Sequence, residues 1–167
     1  MSLDSLCVSN IMRSDVNREN EDQNIMAVCK VMHDNNIGCV VVIKIQYKEK
    51  IPVGIITERD IVNILGKLTI DFRTPLSSFM SKPIISIQLN YSIRKAIQLM
   101  NYNSIRRLVV VDMNNKMVGI ITEKDIFRQI ARSPSMVTDF LGENYPVEYK
   151  EVYGRFTGYM FDLLPKL

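Results

Sequence analysis

A hydroxyl and a carboxylate three positions apart occur twice in this chain, as Thr57-Glu58-Arg59-Asp60 and as Thr122-Glu123-Lys124-Asp125. Each string follows an apolar run, Val53-Gly54-Ile55-Ile56 or Val118-Gly119-Ile120-Ile121, and leads into Ile61 or Ile126. A Thr ahead of a helix with an acid at its third residue makes a capping box, each side chain satisfying a backbone N–H of the first turn. The same residues also gather a hydroxyl, a carboxylate and free N–H groups where a strand ends. Such a corner can accept ribose hydroxyls at the carboxylate and take a phosphate at the helix start. The spacing leaves cap and ribose site as alternatives. Arg106-Arg107 precede another apolar run and suit either bidentate phosphate contact or a solvated strand edge. Lys124 and Arg59 stand just inside the helices, where the dipole opposes a cation and a phosphate would relieve the mismatch.

Other chemistries find few residues to use. Cys7, Cys29 and Cys39 form no C-x-x-C pair, and an odd number cannot close fully into disulfides, so a reducing compartment is expected. His33 is the only histidine, which leaves no His-rich metal site and no Ser-His-Asp triad. No nucleophile–base pair, metal cluster or phosphate-binding glycine loop is visible, so catalysis is not expected. The 167 residues are 47% hydrophobic and 23% charged, a globular balance. Lys+Arg 21 against Asp+Glu 18 gives +3, too small a surplus to point to nucleic acid or a membrane surface. No apolar run approaches the roughly 18 residues of a membrane span, and the start lacks a basic flank leading into an apolar stretch. A cytoplasmic protein is the expectation.

The elements that position these residues are duplicated. Val53 to Ile61 recurs as Val118 to Ile126 with a single Arg-for-Lys exchange, 65 residues later. Upstream the copies align at a spacing of 68, pairing Ile11-Met12 with Phe79-Met80, Ile25 with Ile93 and Ile37 with Ile105. The three extra residues fall between Ile43 and Pro52, read as a longer polar connection. In the second copy Ile84-Ile85-Ser86-Ile87 is a short strand. Ile93, Ala96, Ile97 and Met100 form a helical stripe after Ser92 as N-cap. Leu108 to Val111 and Met117 to Ile121 are strands around the turn Asp112 to Lys116, and Thr122 opens a last helix. The unit is β-α-β-β-α. A single unit of this size is marginal alone, so the two are expected to bury their sheets against each other.

The strings GIITERDI and GIITEKDI, each ending such a unit, resemble the tandem cystathionine-β-synthase (CBS) domain pair, or Bateman module. The likeness runs from about Val8 to Ala131 and includes the opening motifs Ile11-Met12 and Phe79-Met80. It implies an α/β (α+β) fold of two tandem β-α-β-β-α units packed through their sheets with pseudo-twofold symmetry. The units span 1–65 and 76–132, joined by a linker at 66–75 and followed by a helical, aromatic-rich tail at 133–167. It further implies a regulatory, non-catalytic module, needing no cofactor or metal, that binds AMP, ADP or ATP in a cleft between the units. Signalling would pass through a homodimer or an unidentified protein partner.

Carried over residue by residue, the nucleotide-binding set is Thr122, Asp125, Lys124, Ile84, Ile85, Ser86, Arg106 and Arg107, with Thr57 and Asp60 in the first copy. Lys82 to Ser86 would enclose the base. The first copy offers the polar segment Asp15-Val16-Asn17-Arg18-Glu19 opposite Pro83 to Ile87, and Gly38-Cys39 opposite Arg106-Arg107. By local content the competent cleft is the one associated with Asp125, although in this family a cleft can take groups from both copies. The competing reading is a structural or interaction module with degenerate sites. In the tail, Tyr149, Tyr153, Phe156 and Met160 follow helical spacing after Pro146. Phe140, Tyr145, Tyr159 and Phe161 bring the aromatics beyond residue 139 to seven of the chain's thirteen. This stripe either covers the module's own core or serves a dimer or partner contact.

Overall fold

A computed structural model describes residues 2–67, 71–141 and 150–163. Expectations for Leu68 to Ile70, for Tyr145, Pro146 and Tyr149, and for the side chains of Tyr153 and Phe161 lie outside the described residues. The chain gathers into two compact units: Asp15–Ile85, and Met1–Ser14 together with Ser86–Leu167. Each holds a mixed three-stranded sheet and helices, the α+β architecture that the repeats imply.

In the unit Asp15–Ile85, β1 (Arg18–Asn20) runs parallel to β2 (Cys39–Gln46), which pairs antiparallel with β3 (Glu49–Thr57). Between β1 and β2 lies α1 (Ile25–Asn35), started by the Asn24 side chain accepting from the N–H groups of Met26 and Ala27. It stops at Asn36, which takes the left-handed conformation (φ 51°) that Asn tolerates at a helix end. Following β3, α2 (Glu58–Leu65) begins in the Thr57–Asp60 capping box. The core holds Val28 and Met32 of α1, Val40 and Val42 of β2, Ile56 of β3, and Leu76 and Met80. The extra residues of the first copy do not form a loop. They lengthen β2 and β3 into an exposed hairpin that turns at Tyr47 and Lys48, both at positive φ as a tight two-residue turn requires.

The second unit repeats the plan. β4 (Ser86–Gln88) is parallel to β5 (Arg107–Val111), which is antiparallel to β6 (Met117–Thr122). α3 (Ile93–Tyr102) buries Ile93, Ala96, Ile97 and Met100 as the stripe predicts, and Ser92 caps it. The strand expected at Ile84 starts at Ser86 instead, because only Ser86 to Gln88 find partners on β5. α4 (Glu123–Ala131) begins in the Thr122–Asp125 capping box.

The segment that opens each sequence repeat lies in the compact unit built on the other repeat's sheet. Arg13 exchanges two backbone hydrogen bonds of 2.9 Å with Ile120 on β6, and Ser81 exchanges bonds of 2.9 and 3.2 Å with Ile55 on β3. These arms explain the glycine of each GII string. A Cβ on Gly54 would stand 2.5 Å from the Met80 sulfur, and one on Gly119 would stand 2.7 Å from the Arg13 carbonyl oxygen. Only glycine admits an arm that close.

The tail packs on the second unit. α5 (Pro134–Leu141) and α6 (Lys150–Leu163) bring Phe140 and Phe156 onto Phe127 of α4. All three rings are buried, with Phe140 and Phe156 at a centroid distance of 4.7 Å and Phe127 and Phe156 at 5.3 Å. The guanidinium of Arg155 donates to both oxygens of Glu123, at 2.6–3.1 Å. Arg94 of α3 reaches Asp139, whose other oxygen accepts the Leu3 N–H at 2.7 Å. The tail thus covers its own module's core at these residues. α6 continues through Gly154 and Gly158, where an added Cβ would meet nothing within 4 Å. Gly154→Ala and Gly158→Ala are therefore expected to stabilise the fold by about 0.5–1 kcal/mol each, read as a rise in urea midpoint.

Candidate functional site

Each Thr-x-x-Asp string sits at a strand end and is held there by its own capping box. On α2, the Asp60 Oδ2 accepts from the Thr57 N–H at 2.8 Å and from its hydroxyl at 2.7 Å. The Thr57 oxygen in turn accepts the Asp60 N–H at 3.3 Å. On α4, the Asp125 Oδ2 accepts from the Thr122 hydroxyl at 2.6 Å and from its N–H at 3.2 Å. Cap and candidate ligand group are therefore the same residues, and one carboxylate oxygen remains in each pair for anything else.

The two remaining oxygens differ. Asp125 Oδ1 is taken by Arg13, whose Nε and Nη2 donate at 3.0 and 2.8 Å. With both Thr122 donors, four bonds fill the acceptor capacity of a carboxylate whose side chain is only 7% exposed. Among the described residues, the Asp60 Oδ1 accepts only from the Ser81 hydroxyl, at a long 3.4 Å. Arg13 and Ser81 are equivalent positions, each following the Met of an opening motif. Sequence reasoning passed over both. The signal was the repeat itself, which sets Arg13 opposite Ser81 at the spacing of 68.

The other expected site residues divide between the units. Lys82, Pro83, Ile84 and Ile85 follow Ser81 directly in the unit that holds Thr57 and Asp60. Lys82 and Pro83 are exposed, while Ile84 and Ile85 are half-buried. Ser86, exposed at the start of β4, lies with Thr122, Lys124 and Asp125 in the other unit. Arg107 opens β5 directly across from Thr122, and the Arg106 carbonyl accepts the Glu123 N–H at 2.9 Å. A cleft of about 510 Å³ beside Asp125 is lined by Asn10, Ile11, Arg13, Arg128, Gln129 and Arg132. It contains neither Arg106 nor Arg107. Three guanidinium groups against one engaged carboxylate make it cationic.

Among the described residues no cluster of three or more His, Cys, Asp or Glu could hold a metal ion, and no helix is long and apolar enough to cross a membrane. Burial pushes the Cys29 thiol above its ordinary pKa, which keeps the thiolate scarce at neutral pH.

The comparisons with known proteins agree with this geometry. The CBS domain profile matches residues 8–67 and 76–132. The uncharacterized protein MK0525 of Methanopyrus kandleri is 32% identical over 125 residues, which is 74% of this chain and 62% of that protein. The chain thus spans about three fifths of that relative's length. The CBS domain protein PAE2072 of Pyrobaculum aerophilum, solved in complex with AMP, superposes with a TM-score of 0.67 at 22% identity, over 77% of this chain and 100% of that one. The CBS domain pair of protein MJ0100, in complex with 5'-methylthioadenosine and S-adenosyl-L-methionine, gives a TM-score of 0.66 at 23% identity, over 75% of this chain and 96% of that one. Two tandem profile matches covering well over half of the sequence, each ending in a Thr-x-x-Asp helix start, make this chain a member of the CBS domain family.

Proposed function

We propose that the chain is a non-catalytic regulatory module that binds an adenosine-containing ligand with Asp60 as the ribose acceptor. The observation carrying this reading is the open Oδ1 of Asp60, compared with the Arg13-bound Oδ1 of Asp125. A ribose diol needs a carboxylate oxygen that can still accept, and Asp60 offers one at the end of β3. The half-buried Ile84 and Ile85, in the same unit, supply apolar surface for a base. The exposed Arg59 and the start of α2 suit a phosphate. The sequence reading favoured Asp125, and the Arg13 pair shifts the weight to Asp60. Complexes of structural relatives with AMP and with S-adenosyl-L-methionine support the ligand class. Occupancy would bias a dimer or partner surface toward one state.

Thermal unfolding with AMP, ADP, ATP, NAD and S-adenosyl-L-methionine tests the reading. A ligand of the native state adds about 2.7 kcal/mol at a hundredfold excess over Kd. Asp60→Ala is expected to abolish that increment. Asp60→Asn is the companion variant, since the amide keeps an oxygen for the cap. A flat response to all five ligands would leave a structural scaffold.

A further inference from the structure

With the ribose acceptor at Asp60, the cleft beside Asp125 has no part in adenosine binding, and its lining is of a different kind. All of it belongs to the unit that carries the second sheet. Arg128 on α4 and Arg132 at its C-terminal cap stand one turn apart, both exposed. Neither has a hydrogen bond or ion pair among the described residues. Arg13 is fixed in place: its backbone exchanges two bonds of 2.9 Å with Ile120, and its Nε and Nη2 donate to Asp125. Its Nη1 is unbonded among the described residues, so a held guanidinium keeps donors for an anion. Asp125, filled by four donors, acts there as a positioning residue, and its charge offsets only one of the three cations.

The duplication supplies a comparison. The positions equivalent to Arg13, Arg128 and Arg132 carry Ser81, Asn63 and Lys67, so one cation stands where the second copy has three. Cations near the end of α4 suit its dipole, but that account does not reach Arg13. The lining also excludes a nucleobase as the main feature. Only Ile11 in it is apolar, and it holds no aromatic ring on which a base could stack. We propose that this cleft, of about 510 Å³, binds an oligophosphate anion. Arg128 and Arg132 are its bidentate phosphate ligands, and Arg13, oriented by Asp125, is the third. The site is separate from Asp60, and neither requires the other.

The probe is sodium tripolyphosphate, titrated calorimetrically into the full chain at about 0.15 M salt, where exposed charges beyond about 8 Å are screened. One saturable site is expected. Arg128→Gln and Arg132→Gln are each expected to weaken it about tenfold, and the double variant to abolish it. Glutamine keeps the helix propensity, and circular dichroism of the double variant establishes that it is folded. Lys48→Gln with Lys50→Gln, on the exposed hairpin, removes the same charge and is expected to change nothing. Asp60→Ala is also expected to leave tripolyphosphate binding intact, so the two sites stand or fall separately. On the Asp60→Ala chain, ATP that displaces tripolyphosphate supports a nucleotide-borne phosphate chain, and ATP that does not supports a free oligophosphate. No saturable binding up to millimolar tripolyphosphate overturns the proposal. So does binding that survives the double arginine variant or falls equally with the hairpin lysines. Equal affinity for sulfate overturns it as well, since one small anion does not need three guanidinium groups.

Discussion

Phe156→Ala is expected to destabilise the protein by about 3–5 kcal/mol, a large share of a typical domain's total stability of roughly 5–15 kcal/mol. Phe156 is 1% exposed and touches Phe140 and Phe127 edge to face, so its removal leaves a cavity that neither neighbour can fill without losing its own contacts. Glu123 raises the stake. Its side chain is 8% exposed, and Arg155, the residue before Phe156 on α6, is its ion-pair partner. Any loosening of α6 would leave that carboxylate buried without its cation, which is costly by itself. Chemical denaturation of Phe156→Ala, compared with Gly158→Ala on the same helix, checks the expectation. A loss below about 1 kcal/mol would mean that the tail is not packed as described.

Arg13→Ser is expected to raise the number of bound adenosine ligands from one to two, measured by calorimetric stoichiometry. Serine is what the repeat places at the equivalent position 81, so the variant gives Asp125 the neighbour that Asp60 has and frees its Oδ1. The Arg13 side chain is 53% exposed but that of Asp125 is 7% exposed, so the substitution leaves a largely buried carboxylate without its cation and carries a stability cost; circular dichroism of the variant establishes that it is folded. At a hundredfold excess of ligand the second site would add about 2.7 kcal/mol to the ligand-induced stabilisation. The double variant Arg13→Ser with Asp60→Ala should return to one site. An unchanged stoichiometry in the single variant would show that Arg13 is not what closes the Asp125 corner.

Much of the fold was legible because the chain states it twice. One string repeated 65 residues apart revealed the unit, and the N-caps Ser92, Thr57 and Thr122 each follow from a short polar side chain ahead of an apolar stripe. Local chemistry sufficed for those. It failed where a partner comes from far along the chain. Arg13 meets Asp125 across 112 positions, and nothing near either residue announces the pairing. The aromatic tail was read as either cover or interface, and only the rings of Phe127 and Phe140 around Phe156 decide for cover at those positions. The three additional residues of the first copy looked like loop because they are polar. They extend a hairpin whose exposed faces have no use for an apolar pattern.

The placement of the two arms has a consequence for how this gene can be divided. A cut between the repeats would send Leu76 and Met80 away from the sheet they help to bury, and would take Ser81 from the edge of β3. The complementary fragment would lose Arg13 from the edge of β6. Neither half would then be a whole body, since each leaves its missing edge on the other fragment. Inheritance as an indivisible pair follows from the threading of the chain, before any ligand imposes it.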